Sequence, residues 1–351
     1  MDGPHIIGHV SPETNDQGPG GHMRKYPIAA YLIAGLVAGL GIFAALPALA
    51  YPERPISLIA PFTPGGDSDL SARNLAPVAQ RQLGQPIVVL NKPGASGALG
   101  SQQVKDATPD GYTLLLARVA SHAVLPALKK NLAYKWNDFT AIGLLELNPI
   151  VCVVNADSPY RKLDDLKRAI TTQPRKLNYS TAGIGTIQQL GTQLLLQAFQ
   201  AAPDAATHVP YKGGGEVALA VLAKEVDFSC LNFPSAVGLI QGKRLRALVV
   251  LMPERLADLP DVPTAREVGY PQLEAVVGWS ALVGPPKMDQ AALAKWVETL
   301  QAVAQDAGWR AAIQKIGSIP RILSPQETER FMGEQYETYA RLAAQLHLEL
   351  K

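Results

Sequence analysis

From Pro55 to Gly284 the chain alternates short, almost wholly apolar runs with amphipathic segments. The runs ISLIAPF, PIVVLN, YTLLLA, PIVCVVN, KLNYS, EVDFSCL, LRALVVL and AVVGWSALVG are bounded by Gly, Pro or Asn, the pattern of strands buried on both faces. Between them, residues 70–83, 163–172, 187–199 and 217–223 repeat apolar positions at helical spacing. Strands alternating with helices predict an α/β fold with parallel-rich sheets. From Gln290 onward only helices are predicted. The last opens on Ser324-Pro325-Gln326-Glu327, where a capping serine, a first-turn proline and a capping-box glutamate coincide.

Eight strands strain a single sheet, so two domains are expected: 51–152 together with 275–351, and 153–274. No Pro/Ser-rich linker divides them, so NPIVCVVN and EAVVGWSALVGPP are the strands expected to carry the chain across. The first fifty residues differ in kind. Residues 1–22 are polar and unpatterned and read as an upstream extension. Met23-Arg24-Lys25, an uncharged apolar stretch and Ala48-Leu49-Ala50 then have the order of a signal peptide over 23–50. An uncleaved membrane anchor is the alternative for that stretch; either reading exports the folded part.

Composition narrows the partners. The 351 residues carry 32 basic and 30 acidic side chains, interspersed for a net +2, and 47% hydrophobic content is ordinary for a globular chain. Without a basic stripe, nucleic acid is not an expected partner. Cys152 and Cys230 lie in strand-like runs and read as buried thiols, with a disulfide between them left open. Neither has a nearby His or Cys, so no metal is expected.

Three loops share one chemistry. Phe62-Thr63-Pro64-Gly65-Gly66-Asp67 leads from a strand into a helix, and so do Ser180-Thr181-Ala182-Gly183-Ile184-Gly185-Thr186 and Tyr211-Lys212-Gly213-Gly214-Gly215. Each would offer backbone N–H groups at the positive end of a helix, suited to an anion. Ordinary strand-to-helix turns are the competing reading. Walker and dinucleotide fingerprints are absent: GLIQGKR is one residue short, and GIGTIQQ lacks its third glycine. GASGALG misses the nucleophile-elbow spacing. Outside the leader and the C-terminal end only His122 and His208 remain as candidate bases, and both read as structural hydrogen-bonders. No catalytic set and no cofactor site is expected. The pattern predicts a solute receptor with its ligand between two domains.

The stretches YPERPISLIAPFTPGGDSDLSARNLA, LGQPIVVLNKPGASGALGSQQVKDATPDGYTLLLA, VPYKGGGEVALAVLAKEVDFSCLNFPSAVGLIQGKRLRALVV and LPDVPTAREVGYP resemble the substrate-binding receptors of tripartite tricarboxylate transporters, the Bug family. The likeness runs from about Tyr51 to the C-terminus. It implies a periplasmic, two-domain Venus-flytrap fold of type II that captures a small carboxylate and hands it to a membrane permease, as a monomer. Carried over, Ser180, Thr181, Ala182, Gly185 and Thr186 would clamp one carboxylate, with Thr63, Pro64, Gly65, Gly66 and Asp67 facing it, often through water. Phe62, Tyr211, Phe233 and Trp279 lie near enough to these loops in sequence to supply aromatic walls, with a place in the core as the equal alternative.

Two departures from the family pattern bear on the ligand. Arg118 stands where the family usually has a small polar residue; it would take a second carboxylate or lie on a surface loop. Leu231 stands where many members carry aspartate and, with Ile184, makes the pocket more apolar. A dicarboxylate or an aromatic acid is therefore expected rather than an amino acid. An exported α/β hydrolase-like enzyme and a ligand-sensing receptor for a signalling partner remain the alternatives.

Overall fold

The computed structural model describes residues 51–350; the expected extension and signal peptide, 1–22 and 23–50, lie outside the described residues. In chain order, β1 (Ile56–Ala60) leads into α1 (Asp67–Leu83) and β2 (Ile87–Asn91) into α2 (Ala98–Lys105). β3 (Thr113–Arg118) passes through a π-helical turn at Ala120–Val124 into the short α3 (Leu125–Leu128). β4 (Thr140–Asn148) and β5 (Ile150–Asn155) follow with only Pro149 between them. Next come α4 (Leu163–Thr172), β6 (Leu177–Thr181), α5 (Ile187–Ala198), β7 (Ala206–Pro210), α6 (Gly214–Leu222), β8 (Phe228–Asn232), α7 (Val237–Gln241) and β9 (Leu245–Val250). β10 (Gly278–Gly284), α8 (Gln290–Gln305), α9 (Ala307–Lys315), β11 (Ile319–Pro320) and α10 (Pro325–Gln345) complete the order. Among the described residues no helix is long and apolar enough to cross a membrane.

Two sheets result, a six-stranded one in the order β11-β4-β10-β3-β1-β2 and a five-stranded one in the order β7-β6-β8-β5-β9. Each anchors one lobe. β1 pairs in parallel with β2 and β3, and β6 with β7 and β8. β10 runs antiparallel to β3 and β4, and β5 antiparallel to β8 and β9. Whereas the short β11, antiparallel to β4, follows α9 of its own lobe, two of the antiparallel strands arrive from the other lobe: β5 follows the crossing at Pro149, and β10 follows the return through residues 251–277. Such a strand enters at the junction between the lobes and so runs against its parallel neighbours. The chain thus passes from the six-stranded to the five-stranded sheet at Pro149, within NPIVCVVN, and returns through residues 251–277 to GWSALVG.

β4, β7 and β11 are absent from the runs predicted as strands, and β11 interrupts a C-terminal region expected to be helical throughout. β4 is obscured in sequence by Gly143, whose missing side chain makes room for Leu300 of α8: a Cβ there would stand 2.6 Å from Leu300 Cδ1. Elsewhere the two-residue alternation is clear. On β1, Ile56, Leu58 and Ala60 face a core layer shared with Leu75 of α1 and Trp296 of α8, while Ile59 faces the opposite layer with Val104. Burying each large side chain of this kind contributes about 1.5–3 kcal/mol. α10 opens with the predicted capping box, Ser324 N–H donating to Glu327 Oε2 at 3.0 Å and Glu327 N–H to Ser324 Oγ at 3.3 Å.

Cys152 and Cys230 are directly opposite each other on β5 and β8 and form a disulfide, which decides the question left open by the sequence. It joins residues 78 apart in the chain. His122 is fully buried in the π-helical turn, its ring 4.6 Å from Phe139 and its Nδ1 3.1 Å from Ser121 Oγ. Burial pushes its pKa from the ordinary 6.5 down to about 3.

Two outcomes follow from this core. Replacing both cysteines with alanine lowers unfolding stability by about 2–5 kcal/mol, read by urea denaturation. His122 is neutral in the folded protein but takes a proton in the unfolded chain below pH 6.5, so acid favours unfolding. For this group alone stability is about 2 kcal/mol lower at pH 5 than at pH 7, and His122→Gln flattens that part of the profile.

Candidate functional site

Three helices start at the junction of the lobes, each directly after a strand: α1 from the first lobe, α5 and α6 from the second. Their loops meet. A Cβ on Gly66 would lie 3.2 Å from Gly214 N, and one on Gly215 3.3 Å from the Gly65 carbonyl carbon. A Cβ on Gly213 would come within 2.0 Å of Thr63 Oγ1. The Gly213 backbone is extended, with φ of −169°, so glycine is required there by proximity and not by conformation. Two hydrogen bonds join the same faces, Asp67 N–H to Ser235 Oγ at 3.3 Å and Ser96 Oγ to the Ile184 carbonyl.

Many of the backbone donors expected to be open are occupied. Ala182 N–H donates to Gln188 Oε1 at 2.8 Å, Gly185 N–H to Gln189 Oε1 at 2.7 Å, and Gly65 N–H to Asp69 Oδ2 at 3.0 Å. The adjacent glutamines of α5 were not singled out from the sequence, though a Gln-Gln pair just inside a glycine-loop helix is the signal that could have found them. Thr181 Oγ1 bonds the Gly183 carbonyl at 2.9 Å and His208 Nε2 at 2.6 Å. His208 stacks on Tyr179 at 5.1 Å, and burial pushes its pKa down to about 4.

Two spaces open between the lobes, and Ala182 lines both. The outer chamber, about 480 Å³, is lined by Ser96, Ala98 and Leu125 from the first lobe and by Gly183, Ile184 and Tyr211 from the second, with Lys129 and Lys212 on its border. The inner space, about 20 Å³, is lined by Phe62, Asp67, Arg118, Thr186, Gln188 and Asn232 among others. Of the residues named from the sequence, Phe62, Asp67, Arg118, Ala182 and Thr186 line the inner space, and Ala182 and Tyr211 line the outer chamber. Pro64 and Gly65 are exposed at the mouth, while Thr63 Oγ1 is buried without a partner. Ser180 turns away, its hydroxyl donating to the Val217 carbonyl at 3.2 Å.

Leu231 is not in the lining. On β8 its side chain joins Val151, Val153 and Val217 in the core, and the neighbouring Asn232 reaches the cavity instead, because successive strand residues face opposite ways. Phe233 and Trp279 are likewise fully buried outside both spaces. Asn232, Gln188 and Ser96 were missed from the sequence.

Behind the inner space lies a row of buried polar groups set by strand register. Ser280 of β10 stands opposite Arg118 of β3 on one side and Glu146 of β4 on the other. Arg118 is 2% exposed, so it is no surface residue; its guanidinium donates to Asp67 and to Ser280 Oγ, with Glu146 Oε1 4.0 Å away. Glu146 Oε1 accepts from Ser71, from Ser280 at 2.8 Å and from Asn148 at 3.1 Å, and Asn148 also reaches Ser318 at 2.9 Å. Desolvation pushes the Glu146 pKa up, against the opposing pull of Arg118. Among the described residues no group of three His, Cys, Asp or Glu side chains is placed to hold a metal ion.

Comparison with known proteins agrees with this arrangement. Residues 71–348 match the Tripartite tricarboxylate transporter family receptor. Protein BugT of Bordetella pertussis is 32% identical over 323 residues, 91% of this chain and 98% of that one. The periplasmic binding protein BugD superposes with a TM-score of 0.81 at 30% identity, over 86% of this chain and 100% of that one. MatC from Rhodopseudomonas palustris with bound malate gives 0.78 at 28%, over 83% and 99%. The R. palustris protein Rpa4515 with adipate gives 0.81 at 25%, over 85% and 99%. With its paired sheets, its glycine loops meeting across the cleft and these relatives over nearly the whole described chain, the protein belongs to the receptor family of the tripartite tricarboxylate transporters, built on the two-domain periplasmic binding-protein fold.

Proposed function

We propose that this protein works in the periplasm as a monomeric receptor that closes on a small carboxylate and delivers it to the membrane permease of a tripartite transporter. The observation that carries this reading is the backbone-to-backbone contact of Gly65-Gly66 with Gly214-Gly215 beside a chamber of about 480 Å³. A chamber of that size suits a small organic ligand, and the bare loops let the lobes meet over it. Malate and adipate in two structural neighbours support a carboxylate. Ile184, Leu125 and Ala98 give the chamber an apolar wall, which fits an acid with an apolar body; a dicarboxylate and an aromatic acid both satisfy that description.

The enzyme alternative rests on the imidazole–hydroxyl contacts, and their geometry argues against it. His122 lines neither space. A neutral His208 that accepts at Nδ1 from Gln189 Nε2, 3.5 Å away, would carry its proton on Nε2 and donate it to Thr181. Thr181 in turn donates to the Gly183 carbonyl, so the ring orients the hydroxyl rather than removing its proton. Uptake and ligand sensing place the same demands on the cleft; growth on the identified acid with and without the permease separates them.

In a thermal-shift screen of mono-, di- and tricarboxylates, one acid class raises the melting temperature by several degrees, since a ligand at about 100 times its Kd adds about 2.7 kcal/mol. Silence across the panel would remove the carboxylate reading. Gly213→Ala leaves the unliganded melting temperature nearly unchanged but weakens the best acid by at least about tenfold, because the added methyl meets Thr63 only when the lobes meet. Small-angle scattering would show the variant failing to compact on ligand addition. Unchanged affinity would mean that closure does not use this contact.

A further inference from the structure

Given the receptor reading, the charge balance at the deep end of the cleft decides which acids fit. We propose that Asp67 acts as a built-in carboxylate for Arg118, so that the receptor selects acids with one carboxylate and an uncharged far end over dicarboxylates. Arg118 and Asp67 are the only charged residues that line the inner space, and they are bonded to each other.

The pair is not poised to open. Asp67 is the first residue of α1, where the helix dipole favours a negative charge. Its Oδ1 accepts from Ser68 N–H at 3.0 Å, its Oδ2 faces Arg118, and its own N–H is bonded to Ser235. Arg118 is held from behind by Ser280, with the Glu146 carboxyl next in the row. A second ligand carboxylate placed here would lose its water and find a cation already neutralised, with no net charge left to offset the desolvation. The space itself, about 20 Å³, has room for little more than one water before the lobes part.

Apart from the ion pair, the polar lining of the deep end is neutral. Asn232 is 2% exposed, lines the inner space and has its Oδ1 engaged by Gln188 Nε2 at 3.2 Å, while its Nδ2 is buried without a partner. Thr186, Gln188 and Asn232 make up that neutral polar lining, which suits an uncharged far end of the ligand. Positive charge is instead found at the outer chamber, where Lys129 and Lys212 stand beside the loop Ala182–Thr186. The single carboxylate belongs at that end.

The test is calorimetric titration of the purified protein with acids matched in skeleton, benzoate against terephthalate and hexanoate against adipate. The monoanion of the preferred pair binds at least about tenfold more tightly than its dianion. A tighter dianion would overturn the inference while leaving the carboxylate-receptor reading standing; failure of every acid in both the pairs and the wider panel would instead remove the carboxylate reading and, with it, the inference. The double variant Asp67→Asn/Glu146→Gln leaves Arg118 without a carboxyl partner, and the preference swings toward the dianion by at least about tenfold. A folded double variant with the wild-type ratio would also overturn the proposal. The wild-type comparison stands if the double variant does not fold.

Discussion

The structure depends on a close approach that side chains would forbid. Two lobes, each with its own sheet, come together at loops where Gly65-Gly66 and Gly213-Gly214-Gly215 place main chain against main chain. A Cβ at Gly213 would overlap the Thr63 hydroxyl, and one at Gly66 or Gly215 would press on the opposite backbone at 3.2 or 3.3 Å. Glycine here is a matter of distance, and its conformational freedom is secondary at Gly213, whose backbone is extended. The helix starts at the junction, the shared cavity at Ala182 and the burial of Asp67 all presuppose that contact.

Much of this was legible in the sequence. Short apolar runs separated by helical periodicity gave the α/β class, because strands buried on both faces have few other ways to be written. The three glycine loops stood out because a strand, a turn and a helix start follow one another within a few residues. Other features depend on pairings that spacing along the chain does not encode. That Cys152 meets Cys230 requires the register of β5 on β8. The partnership of Arg118 with Ser280 and Glu146 requires three strands to be aligned, two of them joined only through the other lobe. One local signal was present: Arg118 continues the face of Leu114 and Leu116, and a charge that prolongs an apolar stripe calls for a buried partner.

Leu231 shows the opposite kind of error. A family position was assigned to the cavity, but strand parity puts Leu231 in the core and gives the cavity to Asn232. A one-residue difference on a strand exchanges an apolar wall for an amide. The glycine loop of the second lobe is subtler still. Its N–H groups are directed by Gln188 and Gln189, so the loop is a rigid, internally bonded ring more than an open set of donors.

The disulfide has a mechanical meaning. β5 is the first strand after the chain crosses at Pro149, and it lies between β8 and β9 in the second sheet. Cross-linked to β8, it can neither slide nor peel from its neighbour when the lobes swing, so the second sheet behaves as one stiff paddle. On the other side of Pro149, Asn148 is bolted to Glu146 and Ser318. In the closure proposed above, the chain passes between the two sheets only at Pro149 and through residues 251–277, so a small rotation about those two passages becomes a long stroke at the glycine lips.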